Sequence, residues 1–110
     1  MIEKIVLDYL KEVLDVPVYM EKPQEMPTQF VLIEKTGSSE ENFILSATIA
    51  LQSYAESLYL AAELNEKVKK AMNDIIVLNT VSKSKLNTDY NFTDTAKKLY
   101  RYQAVYDLVY

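Results

Sequence analysis

The chain has 110 residues, 12 Lys+Arg against 16 Asp+Glu, a net charge of −4 and an apolar share of 49%, which is the size and balance of one globular domain. It contains no Cys and no His, so zinc fingers, haem ligation, thiol chemistry and His-based catalytic triads are excluded. A single glycine, Gly37, leaves no phosphate-cradling loop, and no apolar run reaches the ~20 residues that span a bilayer.

The opening Met1-Ile2-Glu3-Lys4-Ile5 has the mixed charge of a helix rather than of a signal peptide, which makes the cytosol the expected compartment. Ile2, Ile5, Val6, Tyr9, Leu10, Val13 and Leu14 recur at three- and four-residue steps, with Glu3, Lys4, Asp8, Lys11, Glu12 and Asp15 on the other side. That spacing predicts an amphipathic helix, and Pro17 stops it because the residue before a proline avoids the helical region. Val18–Met20 reads as a short strand, and the polar, proline-bearing Glu21–Pro27 as a loop. Gln29–Thr36, rich in β-branched and aromatic residues, predicts a strand buried on both faces over its first half. Gly37–Asn42 reads as a small, acidic, mobile connector. Phe43–Gln52 alternates, with Phe43, Leu45, Ala47, Ile49 and Leu51 on one side, which predicts a hairpin closed by a loop of roughly six residues.

Ser53-Tyr54-Ala55-Glu56 has the form of a capping box, in which Ser53 and Glu56 satisfy each other's free backbone N–H groups. A helix is expected from there to about Asp74, with Leu58, Ala61, Leu64, Val68, Ala71, Met72 and Ile75 as its apolar stripe and Lys67, Lys69 and Lys70 complementing the dipole. Val81–Phe92 is extended but polar, either an edge strand or a loop projecting towards a neighbour. Thr93–Thr95 makes a turn. Lys98–Tyr110 predicts a final strand with Tyr100, Tyr102, Ala104, Tyr106, Leu108 and Tyr110 on one face. The order α-β-β-β-α-β-β implies the α+β class: a single domain with two helices packed on one face of a mainly antiparallel sheet.

Few residues invite chemistry. The carboxylates form no pair framed by the apolar and polar context that shifts a catalytic pKa, and Ser38 and Ser39 have no base beside them. Asn91-Phe92-Thr93 matches a glycosylation sequon, but no secretory signal accompanies it. No catalytic, cofactor or metal site is therefore expected. Tyrosine is abundant, with nine in the chain and five of them in Tyr90–Tyr110. Such a row can be a half-buried strand face, a protein interface or a base-stacking platform. The acidic balance and the lack of an RNP-like motif argue against nucleic acid. Lys83, Lys85, Lys97, Lys98 and Arg101 fall in the last two extended segments, as a solvated face, an edge guard or a stripe for an acidic partner. Residues 1–65 carry 4 Lys and 11 Asp+Glu, a balance of −7, and residues 66–110 carry 8 Lys+Arg and 5 Asp+Glu, a balance of +3. That asymmetry can steer association with another copy.

Four segments also carry a family resemblance: Leu14–Tyr19 at the end of the first helix, the Phe30–Thr36 strand, Gln52–Ser57 leading into the second helix, and the closing Tyr100–Tyr110. Together they resemble the small tail-terminator or tail-completion proteins of long-tailed bacteriophages and prophages, minor tail proteins that sit at the head-proximal end of the tail. The resemblance implies a non-enzymatic virion protein without cofactors, assembled in the host bacterial cytoplasm and away from membranes. Its subunits would close into a ring, typically a hexamer, that caps the tail tube, stops its polymerisation and docks to the head connector. Its partners would be other copies of itself, the tail-tube protein and the head-completion protein, and DNA would pass through the lumen without specific binding. Ring closure is heterologous and needs two complementary edges, so Glu40, Glu41, Tyr100, Tyr102, Tyr106, Lys83 and Lys85 are the expected interface residues. The alternatives are a head–tail connector or stopper subunit, and a small cytosolic protein-binding module with a tyrosine-rich sheet face.

Overall fold

Helix α1 (Ile2–Val13) buries Ile2, Val6, Tyr9 and Leu10, one stripe at helical spacing, and ends where Leu14 turns extended. The second apolar stripe becomes α2 (Leu58–Asn73), which buries Ala61, Leu64, Val68, Ala71 and Met72. A short 3-10 turn, Ile75–Val77, follows it. The structure, a computed structural model, describes all residues from Met1 to Tyr110. No helix is long and apolar enough to cross a membrane.

The strands are β1 (Val18–Tyr19), β2 (Phe30–Glu41), β3 (Ile44–Ala55), β4 (Lys83–Asn91) and β5 (Tyr100–Val109). They form one sheet in the order β1-β2-β3-β5-β4, antiparallel throughout except for the parallel β1–β2 pair. This is the α+β class in the expected order. Register explains the layering. Ile33 pairs with Leu51, and Ala47, Ile49 and Leu51 pair with Leu108, Tyr106 and Ala104, so their side chains share one face. These residues form a single core with Val6, Leu10, Leu64, Val68 and Met72, which puts both helices on that face. Tyr9 fastens the helices together by donating its hydroxyl to the Ala71 carbonyl at 2.8 Å.

The opposite face carries no helix; it is open towards Ile44, while Phe30, Ala50, Gln52 and Tyr54 at its other end are buried, and its polar groups satisfy one another. Thr48 Oγ1 donates to Asp107 Oδ1 at 2.9 Å, and Gln52 Nε2 donates to Gln103 Oε1 at 2.8 Å. At one end Phe30 stacks on Tyr54 with ring centroids 4.4 Å apart, and the Arg101 guanidinium lies 5.6 Å from the Tyr54 centroid.

Two expectations are corrected and one open alternative is decided. Gly37–Glu41 is not a connector: Gly37 pairs with Thr48, Ser39 with Ser46 and Glu41 with Ile44. The turn is only Asn42-Phe43, both at positive φ, 53° and 66°, the geometry whose twist suits a two-residue hairpin. Composition misleads here because the chain's one glycine takes no positive φ, while the second turn position falls to Phe43, a residue that rarely adopts one. The capping box is also displaced. Ser53 is buried inside β3, between Val31 and Tyr102, and the helix is capped by Ser57, whose Oγ accepts the Leu60 N–H at 3.2 Å. Pairing on both sides extends the strand past Ser53, and tertiary pairing outweighs a local cap worth about 1 kcal/mol. Finally, the polar Val81–Phe92 stretch is an edge strand, β4, that pairs with β5 alone. Its polarity follows from its place at the rim.

Candidate assembly surfaces

The β2–β3 hairpin runs past the helical layer, so every residue from Glu34 to Leu45 is exposed. At its tip Phe43 is 99% exposed and Ile44 56% exposed. Phe43 also sits at φ 66°, a left-handed conformation that costs a bulky L-residue about 1–2 kcal/mol. The chain thus bears strain to hold an aromatic ring in water, next to Leu45, which is also exposed. Glu40 and Glu41 pair directly across from Leu45 and Ile44. The tip is an exposed apolar knob with an acidic collar.

Two sheet edges carry unpaired backbone. β1 covers only Val31 and Leu32 of β2, leaving the outer edge of β2 free from Glu34 to Glu41. At the far side of the sheet, β4 leaves its outer edge free along Lys83–Asn91. Lys83 and Lys85 are exposed there, and neither they nor Glu40 and Glu41 enter any ion pair within the chain. Register puts Lys83 and Lys85 on the open face, opposite Val109 and Asp107. A cleft of about 500 Å³ lies at that end, lined among others by Ser38, Ser39, Lys83, Lys85 and Asp107.

The tyrosine row is placed differently from the expectation. Tyr100, Tyr102 and Tyr106 alternate on one face, but it is the face beneath the helices. Tyr106 is fully buried at 0% exposure and belongs to the core, not to an interface. Tyr100 and Tyr102 are half-buried on the same side. The Tyr106 hydroxyl lies 2.8 Å from Asn73 Oδ1 and 3.0 Å from the Lys69 carbonyl, two acceptors sharing its one proton. Burial pushes its pKa up to about 12. Burial first, then the charge of Asp74, pushes Tyr9 up as well.

Helix α2 is tied to the edge strand by a charged network. Asn65 Nδ2 donates to Asp89 Oδ2 at 2.9 Å and Lys69 Nζ donates to the same oxygen at 3.0 Å. Lys69 also pairs with Glu66 at 2.7 Å. Its pKa is raised by hydrogen bonds to Glu66 first and to Asp89 next. These contacts hold β4 in place. No three His, Cys, Asp or Glu side chains gather where they could hold a metal ion.

Of the expected interface residues, the structure gathers Glu40, Glu41, Lys83 and Lys85 at the tip end of the sheet. It separates them from Tyr100 and Tyr102, which lie towards the other end, and buries Tyr106. Sequence reasoning assigned Phe43 to a strand and missed the knob. The available signal was Asn42, which tolerates the left-handed region, standing at the start of the Phe43–Gln52 alternation. No protein-family model matches the chain, and no curated protein sequence matches it.

Proposed function

We propose that the protein is a structural subunit of a phage tail, a terminator that closes into a ring on the tail tube, stops its growth and offers a docking face to the head. The observation that carries the reading is the hairpin tip, where Phe43 stands in solvent at a strained φ with Ile44 and Leu45 beside it. A monomeric catalyst gains nothing from that arrangement. A subunit whose tip is covered on assembly recovers about 1.5–3 kcal/mol for each large apolar side chain buried. The acidic collar of Glu40 and Glu41 would also repel DNA passing the lumen.

The reading assigns no catalysis. The three groups with shifted titration, Tyr9, Lys69 and Tyr106, all fasten α2 to α1 or to the sheet. The protein-binding-module alternative keeps Tyr100 and Tyr102 but loses Tyr106, whose ring is buried in the core. In this reading the protein belongs in the virion, at the head-proximal end of the tail, with its own copies, the tube protein and the head-completion protein as partners.

The test is electron microscopy of particles from the phage or prophage that carries the gene, with the gene deleted. Overlong or ragged headless tails are expected. Tails of normal length lying free beside filled heads would move the assignment to the connector. Normal infectious particles would overturn it.

A further inference from the structure

We propose that copies of this chain join edge to edge, the free edge of β4 in one copy adding as a strand to the free outer edge of β2 in the next, with Lys83 and Lys85 facing the Glu41 side of the hairpin arm. The proposal gives the ring reading its subunit contact and rests on that reading only for the ring's purpose.

Strand polarity is the first support. β3 runs antiparallel to β2, β5 to β3 and β4 to β5, so β4 runs opposite to β2. Two copies in the same orientation therefore present an antiparallel pair, the more stable ladder. Level is the second. Through Val109 and Ser46, Lys83 stands level with Ser39, and through Asp107 and Thr48, Lys85 stands level with Gly37. Lys83, Lys85, Ser39 and Glu41 all project from the open face. Without stagger Lys83 faces Ser39 with Glu41 as its diagonal neighbour, and a two-residue stagger sets it directly opposite Glu41. Both arrangements keep the opposite charges within cross-strand reach, and both keep the helices of successive copies on one side.

The bulges agree with this register. One lies at Thr36, between Lys35 and Gly37, and one at Asn87, between Leu86 and Thr88. Lys35 and Leu86 stand level through Ile49 and Tyr106, so the two bulges meet within one residue of the same height. Bulges terminate edge pairing, which confines the ladder to Gly37–Glu41 against Lys83–Leu86. Symmetric alternatives are disfavoured: β4 on β4 crowds lysines into one short ladder, and β2 on β2 crowds glutamates. The contact is therefore heterologous and propagates head to tail, and it sets every Phe43 tip at the same end of the assembly.

Paired cysteines test it. Ser39 and Lys83 are three inter-strand gaps apart within one chain, about 14 Å, beyond the ~7 Å Cα separation a disulfide can bridge. Ser39→Cys/Lys83→Cys and Glu41→Cys/Lys83→Cys proteins should each be oxidised under mild conditions. A ladder of covalent oligomers is expected from at least one pair. By light scattering, Lys83→Glu/Lys85→Glu should lose the oligomer, and adding Ser39→Lys/Glu41→Lys should restore it. A wild-type protein that stays monomeric to millimolar concentration overturns the proposal and leaves the edges to a different chain. Oligomers that ignore the charge reversals and form no crosslink overturn this contact and leave the ring reading intact. Crosslinked oligomers of a protein whose gene deletion leaves tails unaltered support the contact and remove the terminator reading.

Discussion

Phe43→Gly is predicted to stabilise the isolated subunit while disabling it. The residue is fully exposed and adopts φ 66° after Asn42 at φ 53°, so glycine turns the tip into Asn-Gly, the favoured pair for this turn. Relief of the left-handed conformation is worth about 1–2 kcal/mol, and the extra unfolded-state freedom of glycine returns about 0.5–1 kcal/mol of it. The net gain is about 0.5–1 kcal/mol, seen as a Tm rise of about 2–6 °C for a domain of this size. Urea and thermal unfolding should be measured in the Lys83→Glu/Lys85→Glu background, so that assembly adds nothing to stability. In the assembled state the same change removes a ring whose burial contributes about 1.5–3 kcal/mol, a loss of about tenfold to a hundredfold in affinity for each docked tip. A loss of more than 1 kcal/mol in the isolated subunit would refute the reasoning, because it would mean the ring packs within the monomer and is no docking knob.

Other substitutions probe the layers beneath. Tyr106→Phe removes a buried hydroxyl with two acceptors and should cost about 1 kcal/mol without affecting assembly, whereas Tyr106→Ala should cost about 3–5 kcal/mol. Because the Tyr106 pKa is raised to about 12 from about 10 in an unfolded chain, the folded form keeps a proton that the unfolded form loses. Its contribution is complete below about pH 10 and disappears as the pH rises through about 12. Urea midpoints over that window should fall with pH and fall less steeply in Tyr106→Phe, with the Tyr9 share remaining. Asp89→Ala removes the acceptor for Asn65 and Lys69 and should cost about 2 kcal/mol, with faster hydrogen exchange concentrated in β4. Ser53→Ala should be neutral or stabilising by up to about 1 kcal/mol in urea unfolding, since the buried Ser53 Oγ has no partner.

The elements were legible where period and burial coincide. The Val6–Leu10 and Leu64–Val68 steps and the Ala104–Tyr106–Leu108 alternation each mark a buried face, so helix, helix and closing strand followed directly. What could not be read was which layer covers a given face. The tyrosine alternation was right as geometry, yet it lies on the helix-bearing face, where Tyr106 is buried in the core and Tyr100 and Tyr102 are half-buried, a consequence of the register between β3 and β5. Local chemistry misled in two places for one reason. Gly37 and Ser53 are ordinary loop and cap residues, and both were drawn into strands by pairing with β3, or with β2 and β5. The four charged residues at the tip end were named from charge alone, Glu40 and Glu41 as part of an acidic loop and Lys83 and Lys85 as part of a basic stripe, and their common level needed the register.

The central claim, that this chain caps a growing tail tube, is tested most directly by adding the purified protein to tube protein polymerising in vitro and imaging the products by electron microscopy. The account predicts arrested tubes with ring density at one end only, and unarrested, undecorated tubes when Phe43→Gly protein is used instead. Tubes that lengthen unhindered and carry no end density in the presence of the wild-type protein would contradict it.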